Sequence, residues 1–356
     1  MSEDIKKNEK PRLDWANLGF GYHETPARFV AHFTDGKWDE GGLTGNANVV
    51  LSESACVLHY SQAVFEGLKA YRTEDGRIIC FRPELNAQRI NDSCERMAMP
   101  TLPDGMFMRA VDETVLANAD YVPPYGSGAS LYLRPIAFGT TPVVGVKPAL
   151  DYEFRLFATP VGPYFKGGMK PLRLRLSLLD RAAPHGTGHI KAGLNYAMSL
   201  YNIVDAHRNG YDENIYLDSA TRTFVEETGG ANLIFVDKNG TVVTPLSDTI
   251  LPSITRRSLM EIAVALGLKA ETRRVRADEL GEFVCAGLCG TAAVISPVGS
   301  IDTDSGTITY ESTEHDVIHT LYNTLRAIQL GKLTRVGDTD VSSWVHEVRQ
   351  GAPAGK

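Results

Sequence analysis

Hydrophobic and polar residues alternate along this chain in two periods, one typical of strands and the other of helices. The runs 63–72 and 77–82 are strand-like, and Asp75-Gly76 between them favours a hairpin turn. Pro83 opens a helical pattern in which Leu85, Ile90 and Cys94 roughly share one face. The same patterns predict strands at 130–138, 152–160, 172–179, 269–275 and 292–298, and helices at 83–97, 106–120, 192–208, 255–266 and 315–330. Four short runs, 214–218, 223–227, 232–236 and 241–244, are predicted as a β-meander.

The predicted elements divide into two groups. Residues 161–171 contain three glycines and two prolines, the composition of a linker. We therefore predict an α+β (mixed α/β) fold with an N-terminal domain at 1–160, a linker at 161–171 and a C-terminal domain at 172–356. Residues 1 to about 28 are predicted as a loose lead-in.

Charge and cysteine content narrow the class of protein. The chain has 36 Lys+Arg and 43 Asp+Glu, a formal charge of −7, and no basic tract, so we expect no nucleic-acid partner. Five scattered cysteines in 356 residues predict free thiols in a reducing compartment, and hence a cytoplasmic protein. We expect no secretory signal, because the first ten residues contain no apolar stretch. We expect no membrane span, because the longest weakly apolar run, 284–299, is shorter than the roughly 18 residues that a span needs.

Several common catalytic motifs do not occur in the sequence. No glycine-rich dinucleotide fingerprint, Walker A sequence, H-E-x-x-H or G-x-S-x-G motif is present. Cys285 and Cys289 lie four residues apart without a second pair at zinc spacing, so we expect no metal site. A metalloenzyme or a serine hydrolase is therefore disfavoured.

Three local features together point to a different chemistry. Lys191 is predicted in the first turn of a helix among small residues, where burial and the helix dipole favour a neutral amine. Glu227 ends a strand beside two glycines and can face a flat ligand. Ser253 can cap a helix and leave the next amides free for an anion. Each feature by itself more often has an ordinary structural role, but together they predict a flat, phosphorylated aldehyde cofactor.

Seven motifs in order carry a family resemblance between about residue 20 and residue 298. The chain resembles the branched-chain amino-acid aminotransferases of the fold-type IV pyridoxal-phosphate group. The motifs are HYSQAVFEGLKAYR, LYLRP, VGPYF, GTGHIKAGLNYA, EETGGANLIFV, LPSITRR and CGTAAV. The resemblance implies pyridoxal 5'-phosphate as cofactor and the two-domain fold-type IV architecture.

The resemblance also implies roles at the cofactor. Lys191 matches the lysine that binds the cofactor aldehyde, Glu227 the partner of the ring nitrogen, and Tyr196 the hydrogen-bond donor to the phenolic oxygen. Arg89 matches the phosphate-binding arginine, and Arg181 matches a second arginine near the cofactor. The remaining phosphate contacts are matched by Ile254, Thr255 and Thr291.

The substrate positions follow in the same way. Aromatic residues that line the apolar side-chain pocket of the family are matched by Phe20, Tyr60, Phe65, Tyr132 and Tyr164. Arg134 matches an arginine associated with the distal carboxylate of glutamate, and Thr291-Ala292 match the loop that receives the α-carboxylate. Two departures stand out. Residues 293–296 lack the redox C-x-x-C of some relatives. Gly230 stands where certain relatives have a threonine, which puts one substrate hydrogen bond in doubt.

The implied activity is reversible amino transfer between L-leucine, L-isoleucine or L-valine and 2-oxoglutarate, giving branched 2-oxo acids and L-glutamate. The resemblance also implies a homodimer with active sites at the domain interface, each completed by a loop of the partner subunit. Two alternatives remain: another fold-type IV enzyme, either a D-amino-acid transaminase or an aminodeoxychorismate lyase, and a cofactor-binding protein without catalysis.

Overall fold

The computed structural model describes residues 5, 11, 13–162, 169–311 and 316–350. The strands in chain order are β1 (Arg28–Thr34), β2 (Lys37–Trp38), β3 (Gly42–Thr44), β4 (Ala63–Phe65), β5 (Leu68–Arg72), β6 (Ile78–Phe81), β7 (Ser130–Gly139), β8 (Tyr152–Val161), β9 (Leu172–Leu176), β10 (Glu213–Leu217), β11 (Phe224–Thr228), β12 (Asn232–Asp237), β13 (Val242–Pro245), β14 (Ala270–Arg273), β15 (Val275–Arg276), β16 (Phe283–Gly290), β17 (Val294–Thr303), β18 (Gly306–Thr309), β19 (Arg335–Val336), β20 (Thr339–Asp340) and β21 (Val345–Glu347). The helices are α1 (Cys56–Tyr60), α2 (Pro83–Arg96), α3 (Met106–Ala117), α4 (Gly193–Arg208), α5 (Ile254–Ala265) and α6 (Val317–Gln329). The mixed α+β class is confirmed.

The first sheet is antiparallel and has the strand order β2-β1-β8-β7-β5-β6-β21, with β3 beside β1 and β4 beside β7. The predicted hairpin is confirmed, because β5 pairs antiparallel with β6 and Gly76 adopts φ +90 in the turn. Helices α2 and α3 pack on this sheet through Ile90 and Val111, both fully buried. Each such aliphatic side chain contributes about 1.5–3 kcal/mol of burial free energy.

The second sheet is mixed and has the order β14-β13-β12-β16-β17-β9-β10-β11-β15, with β18 beside β17. Its inner strand β9 pairs parallel with both β17 and β10. Helices α5 and α6 cover one face through Leu259 and Leu321. A second cluster, which includes Leu233 and Leu288, contains further buried side chains of this sheet.

The predicted β-meander at 214–244 is wrong. Strand β11 pairs with β10 and β15, whereas β12 pairs with β13 and β16, so β11 and β12 are not neighbours in the sheet. Gly229 and Gly230 carry the chain from one part of the sheet to the other. Strand β16 supplies the missing neighbour from about 50 residues further along the chain, and a local pattern cannot indicate such a partner.

Strands β1–β8 belong to the first sheet and β9–β18 to the second, which agrees with the predicted division, and β19 and β20 form a separate two-stranded sheet. The last strand, β21, returns to the first sheet and pairs with β6. The predicted linker at 161–171 lies mostly outside the described residues, so the domain boundaries stay a prediction. Within the described part of the chain, no helix is long and apolar enough to cross a membrane.

The segment before α4 connects the two sheets. Ala192 forms an isolated bridge with Val64 of β4, and the Phe65 amide donates to the Lys191 carbonyl at 3.0 Å. The Lys191 amide in turn donates to Ser93 Oγ on α2 at 3.1 Å. These bonds hold Lys191 at the junction between the sheets.

Candidate active site

A cavity of about 320 Å³ lies at this junction. Residues of both sheets line it, together with the loops before α4 and α5. Eleven of the predicted site residues are among its lining: Phe20, Phe65, Arg89, Tyr132, Arg134, Arg181, Lys191, Tyr196, Glu227, Thr291 and Ala292. Positions far apart in the sequence, from Phe20 to Ala292, thus meet in one site.

Lys191 lies two residues before α4 rather than in its first turn, because the helix begins at Gly193. Its Nζ donates to the Tyr196 hydroxyl at 2.7 Å and lies 4.8 Å from the centre of the Phe65 ring. Burial, followed by the nearby Arg89 guanidinium, lowers the pKa of Lys191 to about 8. An amine with this pKa is available both as a nucleophile and as a proton carrier near neutral pH.

Glu227 is buried on β11 and is held from three directions. Its carboxylate pairs with Arg181 at 2.6 Å and accepts hydrogen bonds from Asn232 Nδ2 at 2.8 Å and from the Leu251 amide at 3.0 Å. Burial raises the pKa of Glu227, and the Arg181 guanidinium opposes that rise. The loop before α4 approaches closely here, since a Cβ on Gly188 would lie 2.3 Å from the Thr249 carbonyl oxygen.

Arg89 is oriented by a residue that sequence reasoning missed. Glu66 is fully buried and accepts from Arg89 Nε at 2.6 Å and Nη2 at 2.8 Å, from Asn86 at 2.7 Å and from the Gly67 amide at 3.1 Å. Burial favours a higher pKa for Glu66, but the Arg89 guanidinium and these hydrogen bonds hold it below its usual range. The sequence signal for Glu66 was a glutamate inside the otherwise apolar run 63–68. Sequence reasoning also missed Asn232, whose signal was an asparagine at the start of the apolar strand β12.

Two of the predicted phosphate residues, Ile254 and Thr255, line a smaller compartment beside the main cavity. Asn86, Ile254, Thr255 and Thr291 line a space of about 20 Å³, and Thr291 also lines the main cavity. Ser253 caps α5 by accepting from the Arg256 amide at 3.2 Å. The first amides of this helix have no partner within the helix, as at other anion-binding helix starts.

The other side of the cavity is an aromatic wall. Phe20 packs edge-on against Tyr132 with ring centroids 5.3 Å apart, and Phe65 packs on Tyr196 at 4.8 Å. The Arg134 guanidinium lies over the rings of Phe65 and Tyr132 and donates to the Tyr132 hydroxyl at 3.1 Å. Gly67 makes this packing possible, since a Cβ there would lie 2.0 Å from that hydroxyl.

Among the described residues, one predicted substrate residue does not line this cavity. Tyr60 ends α1 away from the cavity, where its hydroxyl donates to the Val144 carbonyl. Tyr164 lies outside the described residues. Gly230 does line the cavity, and the space next to it is open, because no described atom lies within 4 Å of a Cβ placed there.

Comparison with known proteins identifies the family. The amino-transferase class IV family model matches residues 63–301. The branched-chain-amino-acid aminotransferase of Helicobacter pylori (strain J99) is 45% identical over 339 residues, covering 94% of this chain and 98% of the relative. This chain belongs to the class IV aminotransferase family. The enzyme of the same name from Haemophilus influenzae is 47% identical over 329 residues, covering 90% and 96% of the two chains.

The fold of this class IV aminotransferase agrees with that assignment. A crystal structure of the branched-chain aminotransferase from the thermophilic archaea Thermoproteus uzoniensis with norvaline matches with a TM-score of 0.75 at 27% identity. The match covers 91% of this chain and 100% of the other. The expected fold-type IV architecture is confirmed. Among the described residues of the aminotransferase, no group of three or more His, Cys, Asp or Glu side chains could hold a metal ion.

Proposed function

We propose that this chain catalyses reversible amino transfer between L-leucine, L-isoleucine or L-valine and 2-oxoglutarate, with pyridoxal 5'-phosphate as cofactor. The observation that carries the proposal is the lysine of low pKa, hydrogen-bonded to a tyrosine, in a cavity shared with a buried carboxylate and an arginine held by a second carboxylate. Relatives that cover nearly the whole chain bear the name of this activity.

The groups around the cavity fit this cofactor. A primary amine suits an aldehyde, a buried carboxylate suits a ring nitrogen, and an arginine with free helix amides suits a phosphate. The buried Nε atoms of Arg134 and Arg181 also have no hydrogen-bond partner among the described residues, so the site offers more donors than acceptors. We assign Lys191, Glu227 and Tyr196 to the aldehyde, the ring nitrogen and the phenolic oxygen. The phosphate is assigned to Arg89, Ile254, Thr255 and Thr291, with Arg181 behind Glu227.

The protein residues have separate tasks in the reaction. When bound, pyridoxal phosphate withdraws electrons from the substrate Cα and makes its proton removable. Lys191 accepts that proton and donates it again, because its pKa of about 8 leaves both forms populated near neutral pH. Glu227 keeps a proton at the ring nitrogen, and Arg181 and Asn232 fix the direction in which its carboxylate points.

The aromatic wall accounts for two kinds of substrate in one pocket. Phe20, Phe65 and Tyr132 offer apolar surface to a branched side chain, and each buried methylene contributes about 0.8 kcal/mol. Arg134 stacks on this wall and lines the cavity, and it forms no ion pair with a described carboxylate. It can therefore receive the distal carboxylate of glutamate, which would otherwise be buried without a partner. Thr291 and Ala292 receive the α-carboxylate at the other end of the cavity.

We further propose that the chain works as a homodimer in the cytoplasm. Tyr60 lies outside its own cavity and next to Val144, while Val144 and Val146 are 84% and 87% exposed. Exposed apolar side chains on one loop suit contact with a second copy of the chain, whose active site this loop would complete. The five cysteines are all unpaired, which suits a reducing compartment. A sedimentation mass near 38.9 kDa, that of the single chain, would contradict the dimer.

An amino-donor screen tests the activity directly. Purified enzyme with 2-oxoglutarate as acceptor should use leucine, isoleucine and valine and should not use D-alanine. Lys191→Ala should lower the turnover rate on the order of 10³-fold while the protein still binds the cofactor through its phosphate. Lys238→Ala, which removes an exposed lysine in a turn, is the matched control. Preference for D-alanine would favour the D-amino-acid transaminase, and cofactor binding without turnover of any donor would favour a non-catalytic protein.

A further inference from the structure

A second cavity lies beside the turn that carries Thr291 and Ala292. It measures about 180 Å³, and Ala292 lines both this space and the active-site cavity. Lys69, Ser130, Ser296 and Arg326 contribute polar side chains to it. We call it the Lys69 cavity.

The Lys69 cavity contains two cations and no carboxylate among its described lining residues. Lys69 on β5 is only 7% exposed, and its Nζ donates one hydrogen bond, to the Ala292 carbonyl at 3.0 Å. Arg326 on α6 lies over the Tyr71 ring and donates to Gln329 at 3.1 Å. Neither forms an ion pair with any described residue, so no described carboxylate neutralises this pair of charges. An uncompensated charge on a side chain as buried as that of Lys69 is rare.

Two buried hydroxyl groups in the same cavity also have no partner among the described residues. Ser130 on β7 is 4% exposed and Ser296 on β17 is 3% exposed, and neither hydroxyl makes a hydrogen bond within that part of the chain. Buried hydroxyls are ordinarily satisfied by protein or by water. Two hydroxyl donors and two cations thus converge on one small space.

We propose that the Lys69 cavity is a binding site for one small anion, the size of a halide or a short carboxylate such as formate. An anion supplies the missing countercharge for Lys69 and Arg326 and accepts hydrogen bonds from Ser130 and Ser296. The space, about 180 Å³, is smaller than the active-site cavity of about 320 Å³, and an anion smaller than an amino acid suits it. An ammonium group would be repelled by both cations.

The protonation of Lys69 makes this binding depend on pH. Burial and the Arg326 charge lower the pKa of Lys69 to about 7 in the empty cavity. The ionisable groups around it are Tyr71 on the same strand, Tyr132 on the neighbouring strand, and Tyr322 and Arg326 on α6, with no histidine or carboxylic acid among the described lining residues. An anion binds the charged form of Lys69, so its affinity should fall as pH rises through 7, by roughly twentyfold between pH 6.5 and 8.5.

Thermal denaturation of the holoenzyme tests the site without any substrate. Sodium formate and sodium bromide would be titrated at constant ionic strength against gluconate, a much larger anion. We expect a saturable rise in the melting temperature at pH 6.5 that is much weaker at pH 8.5. The rise should disappear in Lys69→Met and Arg326→Gln and diminish in Ser296→Ala, while Lys238→Met, which removes an exposed lysine, should behave as wild type. Because no amino acid is present, failure of this test would leave the proposed transamination untouched.

Anomalous diffraction from bromide-soaked crystals locates the site. A peak between Lys69 and Arg326 would support the proposal. Three results would overturn it: a rise that survives in both Lys69→Met and Arg326→Gln, no saturable rise at all, or a bromide peak confined to other positions. If Lys69→Met does not fold, Arg326→Gln and Ser296→Ala still decide the matter.

Discussion

Replacing Glu66 with glutamine should destabilise the protein strongly although the residue lies outside every predicted site position. The carboxylate is fully buried and accepts four hydrogen bonds, two of them from Arg89, whose side chain is only 8% exposed. Glutamine has the same shape but one acceptor oxygen, and its amide would face the donors of Arg89 and Asn86. The Arg89 guanidinium would also lose its countercharge.

The expected cost can be worked from this geometry. Removing one partner of a buried, hydrogen-bonded ion pair costs about 3–5 kcal/mol. In a large domain each kcal/mol corresponds to roughly 2–4 °C, so the melting temperature of the cofactor-free enzyme should fall by roughly 6–20 °C. The Glu66 charge also raises the pKa of Lys191, so the variant should have a Lys191 pKa lower than about 8.

Two assays check this expectation. Differential scanning calorimetry of the cofactor-free protein measures the melting temperature, with Glu74→Gln as the control because Glu74 is exposed on the neighbouring hairpin. The pH dependence of Lys191 labelling by an amine-reactive reagent measures its pKa. A melting temperature within about 2 °C of the control, corresponding to less than about 1 kcal/mol, would refute the role of Glu66 as the partner that holds Arg89.

Three further substitutions have distinct expected outcomes. Arg134→Ala should raise KM for glutamate and 2-oxoglutarate while largely sparing leucine in separately measured half-reactions, and equal losses for both would indicate a structural role. Glu227→Gln should slow single-turnover chemistry more than it weakens cofactor binding, since a neutral amide cannot hold the ring nitrogen protonated; unchanged single-turnover rates would disprove the assignment. Burial raises the pKa of Glu213 to about 7, so the folded protein binds more protons than the unfolded chain between about pH 4.5 and 7, and stability falls as pH rises through that range. Glu213→Gln should therefore be more stable than wild type at pH 8 and equal to it near pH 4.5, and parallel melting curves across this range would contradict the linkage.

The sequence by itself determined the local elements and the chemistry of the site. Pro83, the apolar period after it and Asn209-Gly210 placed α2 and α4 within a residue or so of their observed bounds, because caps and helical periodicity are encoded within a few residues. Lys191 and Glu227 could be named from the ordered motifs and Arg89 from the family resemblance of its helix, and the structure brings all three to one cavity.

Only the tertiary structure decided how strands pair and what supports the site. The β-meander failed because β12 pairs with β16, and no local pattern specifies a partner about 50 residues away. Glu66 and Lys69 appear in the sequence as polar interruptions of apolar strands. The groups they contact, Arg89 and Ala292, lie 23 and 223 residues away along the chain. Whether a buried charge is neutralised depends on which side chains the fold brings within about 4 Å of it, and that is a property of the assembled sheets.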